Sequence, residues 1–529
     1  MTVSRIDRSF ERRLAALVNA REPAVLQGGR KGVEKESLRV TPAGRIATTP
    51  HPAALGSALT HPHVTTDYSE ALIELITPAF TQTWELLQYL CDLHQFVYRH
   101  LGDELLWATS MPCALDGDAS IPVADYGSSN IGRMKHVYRI GLGLRYGRVM
   151  QAISGVHFNY SFPERLWPVL HAAWQARTSG QAFVDEAYFA LLRNYRRHGW
   201  LILYLFGASP AMCKTFFKGR EPPASLRELD QNTFFAPHAT SLRMSDLGYR
   251  NKSQAAFSVS VNSLDEYVRD LSRLIAMPSE DYEKLGVKVD GEWRQLSTNV
   301  LQIENEYYSF IRPKRTARSG ERPTRALARA GVEYVEMRSL DVAPFDPVGT
   351  SQNEMRFLEA FAALCLLKDS PMIERSAEQA LDGNHVLVAA RGREPGLALD
   401  LGGRPHALQD WAAQLLEEMQ GICELLDAGD PDRPYGTALA VQQAKVLDPA
   451  RTPSARLLRE LETENEAFFY FAQRMSRVHR DYFRDLYPPN EAQLEVFARE
   501  AAESLVAQRE VERADRVSFD EFVADWFAA

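Results

Sequence analysis

Apolar and polar positions alternate with a period of two in three short stretches of this chain. In Gly32-Val33-Glu34-Lys35-Glu36-Ser37-Leu38-Arg39-Val40 the two glutamates stand two residues apart. In a strand, side chains at that spacing project from one face. Gly155-Val156-His157-Phe158-Asn159-Tyr160-Ser161 sets His157, Asn159 and Ser161 against Val156, Phe158 and Tyr160. Val332-Glu333-Tyr334-Val335-Glu336-Met337-Arg338 likewise puts Glu336 and Arg338 on one face. The pattern predicts strands whose polar side lines a cleft.

Between about residue 25 and 345 such runs alternate with turn clusters and helical stretches, without an internal repeat. In His61-Pro62-His63-Val64-Thr65-Thr66-Asp67-Tyr68-Ser69-Glu70-Ala71-Leu72-Ile73-Glu74, a helix starting near Ser69 places Glu70 and Glu74 on one face at i, i+4. Trp200 to Met212 is strongly apolar but short and contains Pro210, which fits a core helix or a strand plus turn rather than a membrane span. After Asp341 the chain becomes rich in Ala, Leu and Glu at helical spacing. Near its end Phe519, Phe522, Val523 and Trp526 follow a 3-4-7 pattern behind Ser518 and Glu521, the signature of a capped helix. The expected class is α+β: a sheet-and-helix core over residues 1–345 that carries the polar cleft, with a mainly helical part, 346–529, packed on it as one structural unit.

Charge and cysteine content narrow the class. The formal charge of -9 is spread along the chain, with no basic tract suited to nucleic acid and no acidic tail. The first residues, MTVSRIDRSFERRL, lack the apolar segment of a secretory signal, so a cytoplasmic location is expected. Five scattered cysteines (91, 113, 213, 365 and 423), without CxxC spacing, argue for reduced thiols and against a zinc or disulfide framework.

The acidic pair Glu34 and Glu36 raises the question of a cation, because oxygen ligands at fixed spacing suit Mg²⁺ or Mn²⁺. Asp67 and Glu74 add carboxylates, and the apolar Leu72, Ile73, Leu75 and Ile76 around Glu74 favour a packed position. Each residue has a plain alternative when taken singly. Acidic residues are mostly solvated surface, His157 suits a hydrogen-bonded structural role, and Glu336 with Arg338 suits a strand-face ion pair. The common nucleotide and hydrolase motifs are absent: there is no GxxxxGK[ST], no GxSxG and no HExxH, and Gly141 to Gly147 (GLGLRYG) misses GxGxxG. A basic run, Arg312 to Arg325, reads as a loop from its Gly and Pro content.

Taken in order, GVEKESLRV, HPAALGSALTHPHVTTDYSEALIELITP, YRIGLGLRYG, MQAISGVHFNYS, YLFGASPAMC, ATSLRMSDLGYRNKSQ, NVLQIENEYYSFIRPKR and VEYVEMRSLD resemble the bacterial, monomeric type of glutamate–cysteine ligase. These blocks span about residues 30 to 345, and the C-terminal third carries fewer of them. The resemblance implies a glutamine synthetase-like carboxylate–amine ligase fold, a curved, mainly antiparallel sheet flanked by helices. It implies that ATP phosphorylates the γ-carboxylate of L-glutamate and that the amine of L-cysteine attacks the acyl phosphate. The product is then γ-glutamylcysteine, the precursor of glutathione.

Position by position, the resemblance makes Glu34, Glu36, Asp67, Glu74, His157 and Glu336 metal ligands for more than one Mg²⁺ or Mn²⁺ ion. It places Arg338 and Arg243 near the transferring phosphoryl group and Tyr138, Tyr249 and Tyr308 around cysteine. Pairing with Asp246 is the plain alternative for Arg243. Lys314 and Arg315 could reach ATP phosphates or be merely solvated. Tyr68 and Phe310 stand where other side chains are usual, which bears on substrate fit. The resemblance also points to a monomer, feedback inhibition by glutathione, and no nucleic-acid or membrane partner. Two alternatives stay open, a related carboxylate–amine ligase with another amine acceptor and a non-catalytic relative.

Overall fold

The computed structural model describes residues 8–20, 24–218, 220–248, 257–318 and 320–528. Its centre is a seven-stranded sheet built from Arg30–Val40 (β1), Val64–Thr66 (β2), Leu72–Ile76 (β3), Leu105–Leu106 (β4), Val156–Ser161 (β5), Ile311–Lys314 (β6) and Tyr334–Leu340 (β7). The order is β6-β7-β5-β1-β3-β2, every neighbouring pair is antiparallel, and β4 pairs with the end of β1. Four of the helices bear on the sheet and its polar side: Thr83–His100 (α1), Asn130–Tyr146 (α2), Gln352–Leu367 (α3) and Phe519–Ala528 (α4).

Alternation along β1 sorts its side chains between two environments. Val33 joins Phe158, Ile73 and Leu75 in the main apolar core, together with Phe361 and Leu364 of α3. The same face buries two charges that the sequence pattern does not flag. Lys31 pairs with Glu359 of α3, which also accepts from Tyr160 (3.1 Å) and Tyr435 (2.7 Å). Lys35 lies 3.0 Å from His94 Nε2 of α1, and burial pulls its pKa down to about 7. A buried charge is tolerated only with such partners or with a shifted pKa. The opposite face is left to Glu34 and Glu36.

Three sequence expectations are corrected. No helix begins at Ser69: Leu72–Ile76 is strand β3, and Glu74 lies directly opposite Glu36 of β1. Glu70 stays outside the sheet, where its carboxylate accepts backbone N–H bonds from His51 (2.7 Å) and Asp125 (2.8 Å). The β-branched Ile73 and Ile76 favour the pleated surface, and pairing with β1 on one side and β2 on the other settles the choice. The basic run is not a loop throughout, since it enters strand β6 at one end and a helix, Pro323–Ala330, at the other. Nor are all the thiols reduced. Cys113 and Cys213 form a disulfide, Cα atoms 5.3 Å apart, while Cys91, Cys365 and Cys423 are free and buried. A separation of 100 residues leaves no spacing signal for such a pair.

The apolar run Trp200 to Met212 becomes a buried helix, Trp200–Phe206, followed by a short strand, Ala211–Cys213. Among the described residues no helix is long and apolar enough to cross a membrane. From Gln352 onward the chain is mainly helical.

Candidate active site

The polar face of the sheet opens into a cavity of about 800 Å³ lined by Glu34, Glu36, Asp67, Glu74, His157 and Glu336. Strand register brings them there. His157 of β5 stands opposite Glu34, and Asn159 opposite Glu336 of β7, while the turn after β2 presents Asp67. The six span the sheet from β7 to β2.

At the β7 side, His157 Nδ1 lies 3.1 Å from Glu34 Oε2 and 3.9 Å from Glu336 Oε1. One donor atom from each of the three falls within 4.8 Å of the others. Asn159 Nδ2 donates to Glu34 Oε1 at 3.0 Å, which fixes that carboxylate's orientation. Glu336 is almost wholly buried, and its Oε2 has no hydrogen-bond partner among the described residues. Burial disfavours its charge, yet Lys314 at 3.2 Å and Arg338 at 3.1 Å hold its pKa well below the usual carboxylate range. Burial lowers the pKa of His157, seconded by the Arg338 charge, so the imidazole is neutral and can act as a ligand. Two carboxylates and an imidazole with an orphaned oxygen suit a hard divalent cation.

Toward β3 the balance reverses. Burial, together with the Asp67 charge, pushes Glu36 up to about 8. Burial and the charges of Glu34, Asp67 and Glu36 raise Glu74 well above the carboxylate range. Carboxylates crowded this way repel one another unless protons or cations intervene. Glu36 Oε2 also accepts from Gly155 N at 2.6 Å. A side chain at Gly155 would collide with the Arg243 guanidinium, so glycine is the residue that fits.

Arg338 lies beside the cavity floor, its Nη1 3.5 Å from His157 Nδ1. Arg243 is not among the cavity-lining residues; it is buried against Gly155, where its charge reaches Glu36, and donates to the carbonyls of Leu340 (3.1 Å) and Arg338 (3.2 Å). Its charge faces Asp341 at 3.9 Å. Tyr138 and Tyr308 line the cavity, and Tyr308 Oη is 3.6 Å from Met244 Sδ. Tyr249 lies outside the described residues. Lys314 faces the cavity, whereas Arg315 turns away to the carbonyl of Gly331 at 2.6 Å.

Four residues that line or order the site are not among the candidate site residues read from the sequence. Asn159 carries a signal, since it shares the polar face of its strand with His157. Arg312 stands opposite Glu336 in the β6–β7 register, and the Gly and Pro content that makes its segment look like a loop hides it. Lys135 and Arg139, at i, i+4 on α2, line the cavity with Tyr138. Burial and the Arg139 charge bring Lys135 down to about 8.

An antiparallel sheet whose polar face gathers carboxylates, a neutral histidine and fixed guanidiniums, in a chain without a P-loop, is the arrangement expected of the glutamine synthetase-like carboxylate–amine ligase class that the sequence resemblance implies. Comparison with known proteins narrows the class. A glutamate–cysteine ligase family model matches residues 14–388. The glutamate–cysteine ligase of Alcanivorax borkumensis is 50% identical over 98% of this chain and 99% of its own length, and that of Azotobacter vinelandii is 50% identical over 98% of each. The crystal structure of the Francisella tularensis glutamate–cysteine ligase in complex with AMP superimposes with a TM-score of 0.89 at 37% identity, covering 95% of this chain and 98% of that one. The chain belongs to the glutamate–cysteine ligase family. It is an ATP-dependent ligase that joins the γ-carboxylate of L-glutamate to the amine of L-cysteine, the first step of glutathione biosynthesis.

Proposed function

We propose that the carboxylate face of the sheet holds divalent cations, Mg²⁺ or Mn²⁺, which let ATP approach the glutamate γ-carboxylate. The observation that carries this reading is the trio Glu34, His157 and Glu336, one donor each within 4.8 Å, flanked by Lys314 and Arg338. Glu36, Glu74 and Asp67 supply oxygen donors for a further ion. Bound cations neutralise phosphate oxygens that would otherwise repel the carboxylate.

The chain's own residues do the rest. Asn159 orients Glu34, and Gly155 N orients Glu36. Arg338 meets the negative charge that develops on the transferring phosphoryl group, and Arg243 holds the Arg338 backbone in place. The acyl phosphate formed on glutamate is then attacked by the amine of cysteine, enclosed by Tyr138 and Tyr308, and phosphate leaves. By the sequence resemblance Tyr249 is a further cysteine-binding residue, and the cytoplasm, with its ATP supply, is the compartment this chemistry calls for.

Purified protein supplied with ATP, Mg²⁺ and glutamate should release phosphate only when cysteine is added, with a thiol-containing dipeptide accumulating. Product from another amine but none from cysteine would transfer the reading to a ligase of altered acceptor. Metal binding has its own signature. In the metal-free protein the folded-state pKa values of Glu36 and Glu74 are raised, so their protonated forms favour folding. That contribution is complete below the ordinary carboxylate pKa and is lost as pH rises, through about 8 for Glu36. Added Mg²⁺ should therefore raise the melting temperature more at mildly alkaline than at mildly acidic pH. Equal shifts at both would argue against cations on these carboxylates.

A further inference from the structure

One wall of the cavity is a strap, residues 295–308, that contains a single 3-10 turn, Glu304–Glu306, and no strand. Five of its side chains, Ile303, Glu304, Asn305, Glu306 and Tyr308, line the cavity. Its backbone bonds to the 274–279 segment at 298–301, and beyond that it is held by side chains reaching in from two flanks. On one flank Glu304 accepts from Arg322 Nε (2.9 Å) and Thr324 Oγ1 (2.6 Å), at the start of the helix Pro323–Ala330. The other flank is α2.

Arg145, in the last turn of α2, supplies most of that second hold. Its Nε donates to Gln295 Oε1 (2.9 Å), Nη2 to the Ser297 carbonyl (2.7 Å) and Nη1 to Glu306 Oε1 (2.9 Å), and the guanidinium lies 3.9 Å from the centre of the Tyr282 ring. The Arg145 and Glu306 side chains are both buried. Tyr146 Oη also donates to Glu306 Oε1 at 2.5 Å, and Gln302 N to Glu306 Oε2 at 2.6 Å. Gly141 of α2 leaves the space that the Gln302 amide fills, since a Cβ there would meet it at 2.4 Å. Ile303 then joins Tyr138 of α2 and Trp526 of α4 in a small apolar cluster on the cavity wall.

A buried ion pair is a weak source of stability, but few geometries satisfy both of its charges. Tyr308 follows Glu306 by two residues, so the geometry fixed here is the approach to Tyr308. At its far end the strap enters β6, where Arg312 stands opposite Glu336 of β7 and donates back to the Asn305 carbonyl at 2.9 Å. Register with β7 holds Arg312 and Lys314 without help from α2. The course of the strap on the α2 side depends on Arg145.

We propose that Arg145 is a positioning residue for the amine acceptor: through Glu306 it fixes the strap against α2, and with it the place of Tyr308 in the cysteine pocket. The inference rests on the reading of Tyr138 and Tyr308 as that pocket. Tyr138 precedes Arg145 by about two helical turns, so α2 sets one wall of the pocket directly and another through the ion pair. A misplacement of about 1 Å in such a wall is enough to weaken positioning of a substrate.

Arg145→Lys keeps a cation opposite the buried carboxylate and gives up the bonds to Gln295 and Ser297. KM for cysteine should rise about tenfold, with kcat within about threefold and the KM values for ATP and glutamate within about twofold of wild type. Tyr308→Ala alone should also raise KM for cysteine, and in that background Arg145→Lys should add less than about twofold, because both act through one side chain. An unchanged KM for cysteine, a parallel rise in all three KM values, a fall in kcat at constant KM that follows a fall in melting temperature, or the full effect in the Tyr308→Ala background would overturn the proposal. If Arg145→Lys does not fold, Arg145→Met combined with Glu306→Gln, which removes both buried charges, takes its place in the same comparison. An unchanged KM for cysteine in Tyr308→Ala would instead remove the pocket reading itself, and the inference with it.

Discussion

Replacing Glu336 with glutamine will lower kcat by about 10²–10³-fold while leaving the protein folded, a loss of the size expected when one preorganised charge is removed from a transfer site. Glu336 is the residue on which the β7 side of the site converges. Lys314 and Arg338 approach one of its oxygens at 3.2 and 3.1 Å, and the other oxygen has no hydrogen-bond partner among the described residues. The amide retains the shape but not the charge. Lys314 and Arg338 would then confront each other across a neutral group, and the trio with Glu34 and His157 would keep a single carboxylate.

Two readouts distinguish this from simple loosening of the sheet. The Mg²⁺ concentration giving half-maximal rate should rise along with the fall in kcat, and Glu336→Asp should fall between wild type and Glu336→Gln. Circular dichroism and thermal melting would report the integrity of the fold. Turnover of the glutamine variant within about threefold of wild type would remove Glu336 from the cation site.

The chain reveals the site unevenly, for physical reasons. Glu34 with Glu36, His157 with Asn159, and Glu336 with Arg338 are legible because a strand sorts alternate residues onto one face, so a period of two already states who shares a surface. Glu74 reads as helical because five or six residues fit a period of 3.6 nearly as well as a period of 2. What decides is partner strands on both sides, which are distant in sequence. Lys31 and Lys35 show the limit of the binary pattern. Nothing in the local pattern marks them as buried, yet both are, and the partner of Lys31 is Glu359, 328 residues away. The Cys113–Cys213 pairing is invisible for the same reason. Trp526 is recognisable as part of an amphipathic helix, but periodicity cannot tell whether an apolar stripe faces the core or the mouth of a cavity.

Removing the Arg338 guanidinium, as in Arg338→Ala, will cost about 10³-fold in kcat, the lower range for arginines that act on a transferring phosphoryl group. The side chain is fixed before any substrate arrives. Its Nη1 lies 3.1 Å from Glu336 and 3.5 Å from His157 Nδ1, and Arg243 donates at 3.2 Å to its main-chain carbonyl. A donor held in this way contributes most where charge develops in the transition state, so kcat should fall while KM for ATP changes by less than about threefold. Arg338→Lys should recover only a small part of the loss, because an ammonium cannot reproduce the planar fork of donors. A rise in KM for glutamate or ATP with kcat preserved would make Arg338 a ground-state anchor instead. The charge developing during transfer would then have to be met by Lys314 and Arg312, the other cations at Glu336.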